Sequence, residues 1–170
     1  MFFLFLFLFL FSSQTLSAGE DARIYSRALS AARAGQIDFA FMHYRALLKD
    51  YPDSKLKARA LFAQGEYYFL SPNYREAASY FNEFMRLNPD SQGKLFALAY
   101  LLKIAQLQGN QSLEKDLQKS ILTLHPVGLV FSEFKEYGYR SPLNRRYKAV
   151  FYIDKVQFYA QGEMFVQISL

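Results

Sequence analysis

Three prolines, Pro52, Pro89 and Pro126, stand 37 residues apart, and each follows a run of residues with helical periodicity. The first two continue identically, as Pro52-Asp53-Ser54 and Pro89-Asp90-Ser91. Ala40 and Ala77, Tyr44 and Phe81, and Leu47, Phe84 and Ile121 recur at the same interval, and the helix breakers Gly35, Pro72 and Gly109 fall in phase with them. A period of this size marks a chain built from supersecondary units that bury their apolar faces only against their neighbours. A chain of 170 residues has room for about three such units and one small appendage.

The pattern between the breakers is helical. Residues 21–33 are rich in Ala and Arg, and Gly35 stops them. Residues 37–50 place Phe39, Ala40, His43, Tyr44, Leu47 and Leu48 on one apolar stripe, which Pro52 closes. Ser54 is the expected N-cap of a helix over 55–70 with Leu61, Gly65 and Tyr68 on one face. After Pro72, Asn73 and Glu76 have capping-box spacing, and Ala77, Tyr80, Phe81 and Phe84 share a face. A long apolar helix is expected from Lys94 to Gln108 with Gly109 as its stop, then an amphipathic helix with Leu113, Leu117, Ile121 and Leu124.

These residues resemble the tetratricopeptide repeat, whose signature is W-x2-L-G-x2-Y, then A-x3-F, then P. The middle unit supplies Gly65, Tyr68, Ala77, Phe81 and Pro89 at the matching spacings, with Leu61 in place of the Trp and Gln64 in place of the Leu. The first unit keeps Ala28, Ala40, Tyr44 and Pro52; in the third Leu102, Glu114 and Gln118 depart from the pattern and Pro126 remains. The resemblance covers residues 21–126. It implies a mainly α fold, an α-solenoid of about three helix pairs. The period exceeds the usual 34 by three residues, a trait similar to bacterial envelope proteins of the outer-membrane assembly lipoprotein and Tol-Pal-associated coordinator type. Unlike those, this sequence has no cysteine for a lipid and no N-terminal heptads.

From Pro126 the composition changes. Residues 129–137, with Leu129, Val130, Phe131 and Phe134, suggest a short helix, and Gly138, Ser141, Pro142 and Asn144 a loop. Tyr147–Ile153, Val156–Ala160 and Met164–Ile168 are β-like, with a Gln161-Gly162 turn between the last two. Residues 127–170 are therefore expected to form a small hairpin-containing cap on the last helices, or to continue in strands beyond the sequence.

Phe2–Phe11 is an unbroken run of ten Phe and Leu, the length of a signal-peptide core and half of a membrane span. Ser17, Ala18 and Gly19 follow as small residues, so residues 1–19 are read as an export signal, and a bacterial periplasm as the destination. The absence of cysteine excludes disulfides, thiolate metal sites and cysteine nucleophiles. The +5 net charge is dispersed, with twelve Lys and Arg against nine Asp and Glu over 20–110 and six against four over 127–170, which does not suit a dedicated nucleic-acid protein.

No catalytic motif is visible. His43 lies on an apolar stripe and His125 ends a helix, where it suits the dipole; Glu133 and Glu136 are spaced as a solvated helical pair. The chain is read as a non-enzyme with no metal or cofactor. By the resemblance, the first helix of each pair lines a concave groove. Its groove-facing positions are Tyr25, Leu29 and Ala32, then Phe62, Glu66 and Phe69, then Ala99, Lys103 and Gln106. Phe62 and Glu66 replace the Lys-and-Asn clamp that grips a terminal carboxylate, so an apolar extended or helical peptide is the expected ligand. The alternative for Phe62 and Phe69 is packing against the neighbouring helix pair. A second surface is the cluster Arg140, Arg145, Arg146 and Lys148, interleaved with Tyr137, Tyr139, Tyr147 and Tyr152, which suits peripheral contact with an anionic envelope surface. The sequence thus leads to a scaffold or adaptor for a protein partner in an envelope complex. A surface-associating module is the alternative, and an enzyme of unrecognised type the remote one.

Overall fold

The computed structural model describes residues 19–87, 92–124 and 134–169. The expected signal segment (apart from Gly19), the Pro89-Asp90-Ser91 corner, His125, Pro126 and Glu133 lie outside the described residues. Among those described, six helices precede a four-stranded antiparallel sheet. The helices are α1 (19–33), α2 (Ile37–Asp50), α3 (Lys57–Leu70), α4 (Tyr74–Leu87), α5 (Gly93–Leu107) and α6 (Gln111–Thr123).

The 37-residue interval reappears in the element ends. α1, α3 and α5 end at residues 33, 70 and 107, and α2, α4 and α6 begin at 37, 74 and 111. Gly35 and Gly109 supply the left-handed residue that closes a helix, at φ 75° and 67°. The next amides, Gln36 and Asn110, bond back to Ala31 and Ala105. Pro72 occupies the same place, with φ 24°, and Asn73 bonds back to Tyr68 in the same way. Ser54 is not the N-cap of α3. Its hydroxyl bonds Asp21 and receives the Leu56 amide in a turn, and the helix starts at Lys57.

From α2 to α6 each helix packs on the next, α1 shares a core with α2, and α3 also touches α5. The repeated small positions sit at these crossings: Ala28, Ala40 and Ala77 have no exposed surface, and a Cβ on Gly65 would lie 2.9 Å from the Phe81 ring. That ring stacks on Tyr100 at 4.7 Å and meets the edge of Phe62 at 5.4 Å, so it has no room to retreat.

The sheet is a meander in the order β1 (Phe134–Arg140), β2 (Arg146–Tyr152), β3 (Lys155–Ala160), β4 (Glu163–Ser169). Gln161 and Gly162, at φ 54° and 93°, form the tight turn before β4. Phe134 to Tyr137, expected in a helix, belong to β1, and Gly138, expected in a loop, is a mid-strand residue opposite Lys148. The strand forms because Tyr137 and Tyr139 alternate onto one face and pair with Ala149 and Tyr147. Expected strand residue Ile153 instead lies in the bend between β2 and β3.

The C-terminal segment does not simply cap the last helices. Tyr147, Phe151, Val156, Phe158, Val166 and Ile168 join one core with Phe62 of α3 and Phe96 and Tyr100 of α5. The β1–β2 loop reaches further. Leu143 is buried with Ala28 of α1, Tyr44 of α2 and Ala60 of α3, and the Tyr44 hydroxyl donates to the Pro142 carbonyl at 2.9 Å.

Two stability tests follow from these close approaches. Gly65→Ala gains about 1 kcal/mol of helix propensity but overpacks a fixed ring at a cost of about 1–3 kcal/mol. A lowered melting temperature is expected, and Ala77→Leu is expected to do the same more strongly.

Candidate functional site

The face that the sequence assigns to a partner is covered by the chain's own C-terminal segment, the sheet over α3 and α5 and Leu143 of the β1–β2 loop against α1. Phe62 is 0% exposed, with Tyr139 of β1 edge-on at 5.1 Å and Phe84 at 5.2 Å. Glu66 is likewise 0% exposed, and so is Ala99. Phe69 is half-buried against Tyr100 at 4.7 Å and Tyr74 at 5.5 Å. Phe62 and Glu66 are therefore corrected from groove-lining contacts to interior residues. The physical reason is that the sheet presents Tyr139, Tyr147 and Phe158 to a face too apolar to leave in water. Tyr25, Leu29 and Lys103 remain half-buried at the margins. Tyr25 receives a bond from Arg59 at 3.2 Å, and its ring meets Tyr44 edge-on. Gln106 is held by Glu114.

Beneath the sheet lies a polar cluster drawn from four elements. The Tyr147 hydroxyl of β2 donates to Glu66 Oε1 of α3, and the Tyr100 hydroxyl of α5 lies 2.5 Å from that of Tyr147. Arg145 Nε, in the β1–β2 loop, donates to the Tyr147 oxygen at 3.2 Å and stands 3.6 Å from Glu66 Oε1. The other carboxyl oxygen has no hydrogen bond of ordinary geometry. Burial pushes the Glu66 carboxyl up to about 7, against the opposing pull of the Tyr147 and Ser141 hydroxyls, Arg145 and the Leu143 amide. The hydroxyls of Tyr100, Tyr139 and Tyr147 are all raised by burial, with the Glu66 charge next in importance. Such a carboxyl could exchange a proton near neutrality, but with no exposed surface it has no access to a substrate.

The basic C-terminal cluster divides. Arg145 turns inward, with its side chain 27% exposed. Lys148 stays outside, 3.2 Å from Glu136 and over the Tyr159 ring. Arg140 and Arg146 are direct cross-strand partners; Arg140 donates to Asn144 at 2.8 Å. Sequence reasoning grouped these four by proximity in the chain and missed the acid that draws one of them in. It also missed Tyr100 and Ser141 as members of the cluster. The available signal was a lone Glu in the run Ala60-Leu61-Phe62-Ala63-Gln64-Gly65-Glu66, where an acid is either a breach or a buried partner.

His43 is half-buried beside Phe39 in a shallow groove between α1 and α2. Among the described residues no group of three or more His, Cys, Asp or Glu could hold a metal, and no helix is long and apolar enough to cross a membrane. The sequence matches no family model and no curated protein.

The buried carboxyl sets a pH dependence. In the unfolded chain Glu66 titrates near its ordinary 4.5, and in the fold near 7. Between those values the native state holds a proton that the unfolded state has released. Stability from this group is therefore present below the lower value, falls as pH rises through the window, and levels off above the upper one. The loss is on the order of 3 kcal/mol. Chemical denaturation from pH 4 to 8 is expected to show that decline in the wild type and a flatter profile in Glu66→Gln. Parallel profiles would remove Glu66 as the source.

Proposed function

We propose that this chain is a non-catalytic binding module: a tetratricopeptide-type α-solenoid of about three helix pairs, exported to a bacterial periplasm, that holds a protein partner within an envelope assembly. The observation that carries this reading is the 37-residue unit, which recurs both in residue identities and in the helix ends, with small residues at the crossings. Arrays of this kind present extended surfaces to other chains rather than enclosed catalytic pockets.

Because the chain's own sheet fills the face of α3 and α5 and its β1–β2 loop meets α1, the partner surface has to lie elsewhere. The outer side of the first helix pair suits it best. Phe39 and Met42 of α2 are 59% and 62% exposed, and Phe39 and His43 border a groove of about 580 Å³ with Ser26, Arg27 and Ser30 of α1. Large apolar residues held in water at one place are the usual anchors of a protein contact.

The test is crosslinking in the native host followed by affinity recovery. The wild type is expected to bring down one envelope protein in stoichiometric yield. Phe39→Asp with Met42→Asp is expected to keep the wild-type melting temperature and to lower that yield by about tenfold or more. Phe62→Ala with Phe69→Ala is expected to act on stability instead. Recovery of no protein partner from the native host would sink the adaptor reading, and equal recovery by wild type and the Asp variant would move the contact off α2.

A further inference from the structure

A cleft of about 270 Å³ opens where four parts of the chain meet: the α1–α2 turn, the end of α3, the β1–β2 loop and the β3–β4 turn. Arg33, Ile37, Leu70, Asn144, Arg145 and Gln161 are among its lining residues, and no Asp or Glu of the described residues lines it. Two of the liners hold left-handed backbone, Asn144 at φ 63° and Gln161 at φ 54°. Their side-chain oxygens are already engaged: Asn144 Oδ1 accepts from Arg140, and Gln161 Oε1 accepts from the Arg146 amide at 2.8 Å. Their amide nitrogens are left as donors, beside Arg33 and beside Arg145, whose Nε is turned to Tyr147 and Glu66. The wall is therefore made of donors and positive charge with an apolar floor.

An independent feature lies at its mouth. Arg140 and Arg146 face each other as direct partners across β1 and β2, where like charges repel. Neither makes an ion pair among the described residues, whereas neighbouring Lys148 has Glu136. Arg140 is tied to the cleft by its guanidinium on Asn144, and Arg146 only by its backbone amide on Gln161, so Arg140 joins Arg33 beside a hollow that no described Asp or Glu lines. A bound oxyanion would offset the repulsion that the bare register leaves standing.

We propose that this cleft is a phosphate-binding site, with Arg33, Asn144 and Gln161 as its donors and Arg140 beside them. Guanidinium forks match the paired oxygens of a phosphate, and this much positive charge suits a phosphate better than a single carboxylate. At about 30 Å³ per water molecule, the volume takes a phosphate group and several atoms of whatever carries it. This goes beyond the protein-partner reading and does not depend on it. The phosphate has two sources with shared chemistry, a free phosphate compound and the headgroup of an anionic lipid.

The test uses the purified chain at low salt in two arms. One titrates inorganic pyrophosphate by calorimetry. The other sediments the protein with phosphatidylglycerol–phosphatidylcholine vesicles and with phosphatidylcholine alone. Binding is expected in at least one arm. Pyrophosphate binding without vesicles identifies a free phosphate compound, and retention only on the anionic vesicles identifies the headgroup. Arg33→Ala with Arg140→Ala is expected to weaken that binding by about tenfold or more, while Lys115→Ala with Lys119→Ala, on the exposed side of α6, leaves it unchanged. Arg33→Glu, at the exposed end of α1, is the second variant should the double substitution lower the melting temperature. Failure to bind in both arms overturns the proposal. So does wild-type affinity in the arginine variants, or an equal loss in the lysine variant, which would mean unspecific attraction to positive charge.

Discussion

A carboxyl with no exposed surface, Glu66 on α3, is the point through which the helical and sheet parts of this protein are joined. Taking an acid out of water costs several kcal/mol unless hydrogen bonds and charge replace the lost solvent. Here the replacements come from three other elements: Tyr147 from β2, Tyr100 from α5 and Arg145 from the loop between β1 and β2. Each bond needs two of these elements in contact, and together the bonds tie α3, α5, β2 and the β1–β2 loop. Removing any one leaves the rest buried and short of a partner, which costs more than the bond itself is worth. The cluster thus makes the sheet a constituent of the fold rather than an attachment to it.

The demand for a cover was set by the helices. A repeat unit that stacks on its neighbours buries one side of each helix and leaves the other in solvent. α5 does not have that design: Phe96 to Leu102, with Ile104 and Ala105, are buried on all sides of the helix. A helix apolar all round belongs in an interior. The sheet supplies the second side with aromatic faces, Tyr139 stacked on Phe96 at 5.5 Å and Phe165 against Tyr100 at 5.5 Å. Tyrosine suits this position because its ring packs while its hydroxyl reaches a polar partner, and Tyr147 reaches Glu66 in that way.

The helices were legible because their signals are local. Gly35, Pro72 and Gly109 mark the corners, and apolar spacing of three and four marks the faces between them, so α2 falls on the residues its stripe predicts. β3 and β4 were legible from Val, Phe and Ile around a Gln-Gly turn. β1 was not, because Gly138 and the charges of Lys135, Glu136 and Arg140 mask an alternation carried by two tyrosines alone. The site was hidden for a different reason. Whether Phe62 and Glu66 face a partner or a strand of the same chain depends on where residues 134–169 dock, and that is set by long-range contacts such as Tyr147 with Glu66, 81 residues apart in sequence. The all-round apolarity of α5 was the one local clue that both sides of the array are covered.

The loop Ser141-Pro142-Leu143-Asn144-Arg145 carries this covering to the far end of the helices. Leu143 enters the small-residue crossing of α1, α2 and α3, and Tyr44 holds the Pro142 carbonyl, so the loop is pinned to the first helix pair by an apolar plug and a buried hydrogen bond. Pinning it there brings Arg145 close to Arg33, more than a hundred residues earlier in the sequence, beside a single cleft. Two surfaces then have different origins. The outer side of α1 and α2 is a property of the repeats, and Phe39 and Met42 are exposed whether or not the sheet is docked on α3 and α5. The cleft is a property of the docked C-terminal segment, because its walls belong to both parts. The first surface can survive loosening of the sheet, whereas the second depends on the packing that holds the β1–β2 loop against α1 and α2.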